Sequence, residues 1–192
     1  MTRSSSPVSA SPSAGSPAAF EVLDACHRQT IVMLDRLSAL VDGLDKGGPD
    51  REARRVAEEI ISFFSQTARQ HHEDEERHVF PQLEDSDDPD VVQAVLRLKQ
   101  DHHWMDVDWR ELSPAIGAVA DNRGGYDLEA LREGVEIFTA LTHEHIALEE
   151  SCIYPQARGR IGSAALQQMR HEMAERRRAR SDKKASTGDA SS

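Results

Sequence analysis

The sequence has few cysteines and no long apolar run, and each scarcity limits what the protein can be. Two cysteines, Cys26 and Cys152, are too few for a disulfide scaffold, so we expect a reducing compartment and a cytoplasmic protein. No apolar stretch approaches the roughly 20 residues that cross a bilayer, so we expect no membrane segment. Residues 1–19 are rich in Ser, Ala and Pro and lack the features of a signal peptide, which predicts a disordered leader.

Positive charge is also in short supply. The 192 residues carry 23 Lys and Arg against 34 Asp and Glu, a formal net charge of −11 with neutral histidines. Binding to nucleic acid needs clustered positive charge, and the only dense basic run, RRRAR, lies at residues 176–180. We therefore expect no nucleic-acid partner.

Apolar residues recur every three or four positions along most of the chain, which is the spacing of one face of an α-helix. Breaks divide this pattern into four long helices, at residues 47–50, 84–90 and 121–127. Asp50 and Asp88 are predicted to cap the second and third helices, with Pro89 at the first helical position of the third. The fold class is therefore predicted to be all-α, with residues 20–160 forming an up-down-up-down antiparallel four-helix bundle.

Prolines and composition suggest where the helices end. The second helix is predicted to stop near Pro81 and the fourth near Pro155, while Pro114 is predicted to kink or interrupt the third. A short fifth helix is expected within residues 161–181, followed by a disordered polar tail over residues 182–192.

Each of the four long helices places one histidine on its apolar stripe: His27, His71, His102 and His145. A buried imidazole without a partner costs about 1–3 kcal/mol. One inward histidine is commonly a satisfied core residue, but four of them can be satisfied together by a metal. A helical interaction protein without metal is the plain alternative.

The second and fourth helices each add a carboxylate. Glu75 follows His71 by four residues, and Glu149 follows His145 by four, so each pair shares one helix face. The order is the reverse of the Glu-x-x-His motif of the ferritin-type di-iron bundles. These two pairs predict a metal site built from histidine and glutamate.

The second helix allows two registers, because His72 and Glu76 have the same spacing as His71 and Glu75. Aligning HHEDEERHVFP with HIALEESCIYP on their prolines places His71 and Glu75 opposite the single His-x-x-x-Glu pair of the fourth helix. The alignment favours His71 and Glu75, and the alternative register with His72 and Glu76 stays open.

The combined pattern resembles a known family. One histidine in each of the first and third helices, with HHEDEERHVFP and HEHIALEESCIYP in the second and fourth, is similar to the hemerythrin-like, or HHE cation-binding, domain over roughly residues 20–160. The resemblance implies a non-haem di-iron centre, with two iron ions bridged by carboxylates and an oxo or hydroxo group. It implies these metal ligands: His27, His71, Glu75, His102, His145 and Glu149.

The chain departs from the oxygen-carrying hemerythrins of invertebrates at one ligand. Those proteins have a fifth histidine four residues after the ligand of the third helix, where this chain has Asp106. Asp106 is either a carboxylate ligand or a solvated side chain. His78, one turn beyond Glu75, is a further possible ligand or a polar residue at the bundle end. The coordination number of each iron is therefore open.

Imidazole nitrogen and carboxylate oxygen suit iron, with manganese and zinc as competitors. The resemblance implies a protein that binds or senses O₂, NO or peroxide. The alternative is a di-iron enzyme or an iron-handling protein, acting in peroxide reduction, iron storage or donation, or iron–sulfur repair. No motif for recognising an organic substrate is visible, so we expect binding or sensing in preference to turnover.

Overall fold

The computed structural model describes residues 19–44 and 48–188, with side chains described as far as residue 179. Every regular element in these ranges is helical, which confirms the all-α prediction. The predicted leader, residues 1–19, lies outside the described residues apart from Ala19. Among the described helices, none combines the length and the apolar character needed to cross a bilayer.

Seven α-helical segments follow one another in the described part of the chain. They are α1 (Ala19–Gly43), α2 (Arg51–Ser62), α3 (Arg69–His78), α4 (Pro89–Ala120), α5 (Leu128–Leu148), α6 (Tyr154–Arg160) and α7 (Ser163–Gly188). Three tighter or wider turns supplement them: a π-helical turn joins α2 to α3 (Phe63–Ala68), a 3₁₀ turn follows α3 (Phe80–Gln82), and a second π-helical turn joins α5 to α6 (Glu149–Ile153).

The predicted caps at the starts of α2 and α4 are confirmed. Asp50 Oδ1 accepts a hydrogen bond from the Ala53 amide at 2.7 Å. Asp88 Oδ1 accepts one from the Asp90 amide at 3.0 Å, and Pro89 opens α4 where its missing N–H costs nothing. Local side-chain chemistry therefore sets both helix starts.

Pro155 affects its helix differently from the prediction, and Pro114 does not interrupt α4. The fourth helix does not end near Pro155, because the π-helical turn leads directly into α6, which places Pro155 in its first turn and ends at Arg160. Proline is tolerated there because the first turn of a helix needs no backbone N–H. Pro114 lies inside α4, which continues to Ala120 without interruption. The second helix ends as expected, since α3 stops at His78 just before Pro81.

The C-terminal helix is longer than the sequence suggested. α7 runs over Ser163–Gly188, beyond the predicted span of 161–181 and into the predicted tail of 182–192. The tail has no proline, and its first glycine is Gly188, so no strong helix breaker comes earlier. Residues 189–192 lie outside the described residues.

The helices pack in a closed ring, in which α1 contacts α2 and α5, and α4 contacts the same two helices. The contacts between α4 and the segment from the first π-helical turn to α3 show that these two stretches run in opposite directions. Trp109 of α4 donates to Ser65 Oγ at 3.0 Å, whereas His102, earlier in α4, lies 2.8 Å from Glu76, which comes later than Ser65. These contacts are consistent with a helical bundle. The up-down-up-down order stays a prediction that they support.

Two buried apolar clusters fill the protein, and the predicted ligands lie between them. Along α4, Leu98 belongs to one cluster and Met105 to the other, with His102 in between. The same order holds along α1, where His27 lies between Leu23 and Leu34. We call this polar level the donor layer, and its members are His27, His71, Glu75, His102, His145 and Glu149.

Candidate metal centre

The six side chains of the donor layer are almost fully buried, with exposed fractions between 0 and 5%. Their donor atoms form two overlapping groups, and within each group all atoms lie within 4.8 Å of one another. The first group holds His27, His71, Glu75 and Glu149, and the second holds Glu75, His102, His145 and Glu149. Both groups share the two glutamates. We refer to the histidine pairs as the first position (His27, His71) and the second position (His102, His145).

Glu75 faces both positions. Its Oε1 lies 3.3 Å from His71 Nε2, and its Oε2 lies 3.5 Å from His102 Nε2. The two oxygens of one carboxylate therefore point to different histidine pairs. This is the arrangement in which a carboxylate bridges two metal ions.

Glu149 repeats the arrangement from the opposite side. Its Oε2 lies 3.0 Å from His27 Nε2, and its Oε1 lies 3.2 Å from His145 Nε2. At the second position, the Nε2 atoms of His102 and His145 are 3.2 Å apart, so both rings aim the same nitrogen at one point. The donor layer thus presents two histidine pairs to the same two carboxylates.

The outward nitrogens of two histidines are held by acids that directly follow the two shared glutamates. His27 Nδ1 donates to Glu150 at 3.0 Å, and His102 Nδ1 donates to Glu76 at 2.8 Å. A proton fixed on Nδ1 leaves the Nε2 lone pair free to bind a metal, and such a hydrogen bond also orients the ring. Each half of the sequence therefore supplies the support for a histidine of the other half.

The carboxylate oxygens fit bound cations. Glu75 Oε2 and both carboxylate oxygens of Glu149 are buried, and none accepts a hydrogen bond within the described part of the chain. A buried carboxylate oxygen that accepts no hydrogen bond is costly, and a cation held between the histidines would satisfy these oxygens together. The residues present therefore suit divalent metal ions.

The pKa shifts within the donor layer also indicate a site that suits cations. Burial opposes a charge on His145, but Glu149 and Asp101 outweigh it and raise the pKa of His145 to about 10. Burial, followed by repulsion from Glu149, raises the pKa of Glu75. The two glutamates thus create a negative potential that favours positive charge beside them. By contrast, burial and the nearby His27 lower the pKa of His71 well below its usual range, which keeps that ring in the neutral form that ligates metal.

Comparison with known proteins agrees with this geometry. The family model of the hemerythrin HHE cation-binding domain matches residues 18–157. The chain belongs to the hemerythrin HHE family. It is also 30% identical over 159 residues to an uncharacterized protein of Haemophilus influenzae, an alignment that covers 82% of this chain and 89% of the relative. The family resemblance predicted from the sequence is thereby confirmed.

Two further candidate ligands lie outside the donor groups of this HHE domain. The carboxylate of Asp106 is held by Arg69 Nε at 3.4 Å and by Arg110, and its side chain is 25% exposed. His78 Nε2 accepts a hydrogen bond from Arg176 at 2.9 Å, which ties it to α7. The structure therefore gives both residues ion-pairing or hydrogen-bonding partners other than the centre.

The structure also shows where the residues of the two alternative registers of the second helix lie. His71 and Glu75 lie in the donor groups, whereas Glu76 is 47% exposed and lies 2.8 Å from the outer nitrogen, Nδ1, of His102. His72, however, joins a third group, in which its ligand atom lies within 4.8 Å of those of His102 and His145. The sequence alignment favours one register over the other, whereas in the structure both histidines reach the layer.

Sequence reasoning missed one hydroxyl of the HHE centre. Tyr154 donates a hydrogen bond to Glu75 Oε1, and its oxygen lies 3.2 Å from His27 Nε2. Its ring also stacks on His27, with centroids 5.2 Å apart. The proline alignment places Tyr154 opposite Phe80, so the extra hydroxyl was visible, but its partner on another helix was not.

A cavity of about 780 Å³ borders the second position at His102. Its apolar wall includes Phe64, Trp109 and Phe138, and its polar lining includes His72 and His102. The cavity offers small molecules a route towards the centre. The thiols of Cys26 and Cys152 are free, and neither joins a donor group.

Proposed function

We propose that this HHE-domain protein holds two non-haem iron ions in the donor layer and uses them to bind or sense O₂ or a related small ligand, NO or peroxide. One observation carries the proposal: Glu75 and Glu149 each present one carboxylate oxygen to each histidine pair. Membership of a cation-binding family supports it.

The donor chemistry favours iron or manganese over zinc. The set is nitrogen and oxygen only, which suits iron or manganese, while the absence of a thiolate among the described donors removes the strongest preference for zinc. Four imidazoles and two shared carboxylates also leave two six-coordinate metals short of donors. Bound iron would supply redox chemistry and vacant coordination positions for a diatomic ligand.

The surrounding residues give the centre an apolar border on one side and a hydroxyl donor on the other. Phe64, Trp109 and Phe138 pack together with ring centroids 5.0 to 5.9 Å apart and form an apolar wall beside the layer. Such a wall limits the access of water and protons, which favours reversible binding of a small ligand. Tyr154 supplies a hydroxyl donor at the opposite side of the layer.

A second function is favoured by the cavity. Its volume of about 780 Å³ exceeds what a diatomic molecule needs, and its lining includes His102 of the second position. This feature supports the alternative of a di-iron enzyme or iron-handling protein, of which peroxide reduction needs the least additional machinery. Iron storage or donation and iron–sulfur repair belong to the same alternative.

Metal analysis and optical spectroscopy test the proposal. The protein is loaded anaerobically with Fe(II), freed of excess metal and measured for iron per chain. Spectra are then recorded under nitrogen and after addition of O₂, NO or peroxide. We expect two irons per chain, together with new near-ultraviolet and visible charge-transfer bands after exposure to O₂ and a further change when azide is added.

The outcomes separate the candidates. Trace iron after loading would reject the metal centre altogether. Two irons that ignore O₂, NO and peroxide would leave a storage or structural role. Sustained consumption of peroxide over many turnovers, in the presence of a reductant, would favour the enzyme.

A further inference from the structure

A groove of about 570 Å³ lies between the second half of α4 and the first half of α5, outside the donor layer. Several of its lining side chains are small, which leaves room for the side chains of another molecule. A Cβ at position 134 would come 2.8 Å from Leu112 Cδ2, so Gly134 lets the two helices approach closely here. We call this feature the α4–α5 groove, and it is bounded by Asp108, Glu111, Ala115, Ala130, Gly134 and Ile137.

Two large apolar side chains are exposed along the α4–α5 groove. The exposed fraction is 56% for Ile137, which lines the groove, and 48% for Trp104. Trp104 precedes Asp108 by four residues and Glu111 by seven, so these three residues share one face of α4. Single apolar residues scattered over a surface need no explanation, whereas a cluster beside a groove indicates that another molecule covers it.

The rim of the groove is acidic and lacks a counter-charge. Asp108 and Glu111 form no ion pair within the described part of the chain. Burial and repulsion from Glu111 raise the pKa of Asp108. The arginine in the lining, Arg123, already pairs with Asp121 at 2.7 Å. A positive group from another molecule would therefore relieve the repulsion between the two carboxylates.

These charges decide between classes of partner. Nucleic acids and anionic phospholipid surfaces are negatively charged, so the acidic rim repels them. A second copy of this chain docked face to face would place acids against acids across the twofold axis. A basic peptide segment with an apolar side fits both the charge of the rim and the exposed apolar side chains.

The shape of the groove suits a helix. A third helix packs into the groove between two neighbouring helices, because its ridges of side chains fit between theirs. From Trp104 to Ala115 the face of α4 extends over roughly 16 Å, since each helical residue adds about 1.5 Å. About three turns of a docked helix match that length. Apolar side chains three and four residues apart would then form one stripe against the groove.

We propose that the α4–α5 groove is the docking site for a basic amphipathic helix of a partner protein. The apolar stripe of that helix packs on Trp104 and Ile137, and its lysines or arginines pair with Asp108 and Glu111. Both helices of the groove also supply histidines to the second position. The partner therefore contacts the two helices that carry that position.

Fluorescence anisotropy of a labelled peptide tests the proposal on the full-length protein. The probe is a designed helical peptide of about 18 residues, long enough to form a helix, with leucines on one face and lysines on the other. A comparison peptide has glutamate in place of every lysine. We expect the lysine peptide to bind, and the glutamate peptide to bind at least about tenfold more weakly.

Substitutions of the exposed apolar residues test the site of binding. Ile137→Ser and Trp104→Ala remove apolar contacts from the groove, and Val32→Ser removes a similarly exposed apolar side chain from α1. Each groove variant should bind the lysine peptide about tenfold more weakly, whereas Val32→Ser should bind it as the wild type does. Circular dichroism checks that each variant is folded, and either groove variant suffices if the other unfolds.

A pair of double variants tests the acidic rim at equal net charge. Asp108→Asn with Glu111→Gln removes two charges from the groove. Asp85→Asn with Asp87→Asn removes two charges from an exposed loop outside it. The groove variant should bind the lysine peptide about fivefold more weakly at low ionic strength, and salt should reduce this difference. The loop variant should keep the wild-type affinity.

The contrary results are distinct. Equal losses in the two double variants would show that the peptide follows only the net charge of −11, and the docking site would be wrong. Groove variants that bind as the wild type does would also overturn it. Equal binding of the two peptides would refute a basic partner. Light scattering adds a check, since a dimer that Ile137→Ser dissociates would assign the groove to a second copy of the chain and refute the partner helix.

Discussion

At the scale of single residues, the hydroxyl of Tyr154 is the clearest support of the centre. It donates to Glu75 Oε1 inside the core, while its ring packs on His27 and against Phe20. Tyr154→Phe keeps the ring and removes the donor. We expect the fold to persist and the iron affinity to fall about 10- to 100-fold, as for other hydrogen-bond partners of metal ligands. Competition with a calibrated Fe(II) chelator measures the change.

Tyr126→Phe is the matched control for this prediction. Tyr126 packs against the apolar cluster away from the donor layer and touches none of the predicted ligands in the contacts described. Its loss of a hydroxyl should leave the iron affinity unchanged. Equal affinities for wild type and Tyr154→Phe would show that the hydroxyl does not orient Glu75.

Residue types and spacing were enough to nominate the donor layer. His27, His71, His102 and His145 each fall on an apolar helical stripe, and periodicity alone reveals such positions. The support from Glu150 and Tyr154 was not predictable in the same way. Their partner His27 lies more than 120 residues away in the chain. Only the packing of α1 against the segment that runs from α5 to α6 brings them together.

At the scale of helices, π-helical turns are the feature that the sequence did not reveal. One precedes His71 by a few residues, and the other begins at Glu149. Each widens a turn without a glycine or proline inside it, so no breaker residue marks either one. Such turns are frequent at functional sites, and here they adjust the direction of side chains that must converge.

The docking of α7 on α3 yields a prediction about stability. Asp74 is fully buried, and its Oδ1 accepts from Arg176 Nη2 at 2.6 Å, while Oδ2 accepts from Arg177 at 3.2 Å. Asp74→Asn removes the negative charge between two arginines. The free energy of unfolding of the metal-free protein should fall by about 2 kcal/mol, because hydrogen bonds to charged groups are the stronger ones. Urea denaturation measures it.

A surface ion pair serves as the control for the Asp74 variant. Glu52 and Arg55 pair within α2 in full contact with solvent, where such pairs add little to stability. Glu52→Gln should leave the free energy of unfolding unchanged within error. If Asp74→Asn behaves like Glu52→Gln, the contact between α3 and α7 contributes no stability.

The contact between α3 and α7 should also depend on pH, because His78 takes part in it. Burial and the charge of Arg176, together with Arg77, lower the pKa of His78, and Glu172 and Asp74 oppose them only partly. The unfolded chain, with a histidine pKa of about 6.5, therefore takes up the proton first. Stability from His78 is present above that pH and is lost as the pH falls towards the folded pKa.

His78→Gln tests this pH dependence. Urea midpoints of the metal-free protein are compared between about pH 5 and pH 8, where histidine titrates. The wild-type midpoint should fall more steeply on acidification than that of His78→Gln. Parallel curves would exclude a contribution from His78, since the histidines of the donor layer are common to both proteins.

At the scale of the whole molecule, the donor layer separates two apolar clusters and belongs to neither. The apolar stripes of the sequence continue on each side of the inward histidines, but their division into two clusters emerges only from the structure. The length of α7 could not be predicted either, because its polar residues follow no strong apolar stripe. Met169 and Met173 are its buried anchors, and the arginines that follow them bind Asp74. The helix beyond the bundle therefore depends on tertiary contacts as much as on its own pattern.

The position of the donor layer between two clusters leads to a final prediction, on the linkage of metal to folding. A ligand that binds only the folded protein stabilises it by about 2.7 kcal/mol per site at a free concentration one hundred times its dissociation constant. We therefore expect Fe(II) to raise the thermal unfolding temperature under nitrogen. Glu75→Gln should remove most of this gain, because an amide cannot bridge two metals as a carboxylate does. Burial and Glu149 raise the pKa of Glu75, so the neutral amide should not destabilise the metal-free protein. Calorimetry of both proteins with and without Fe(II) measures the two effects, and an equal Fe(II)-dependent shift in each would show that Glu75 does not hold the metal.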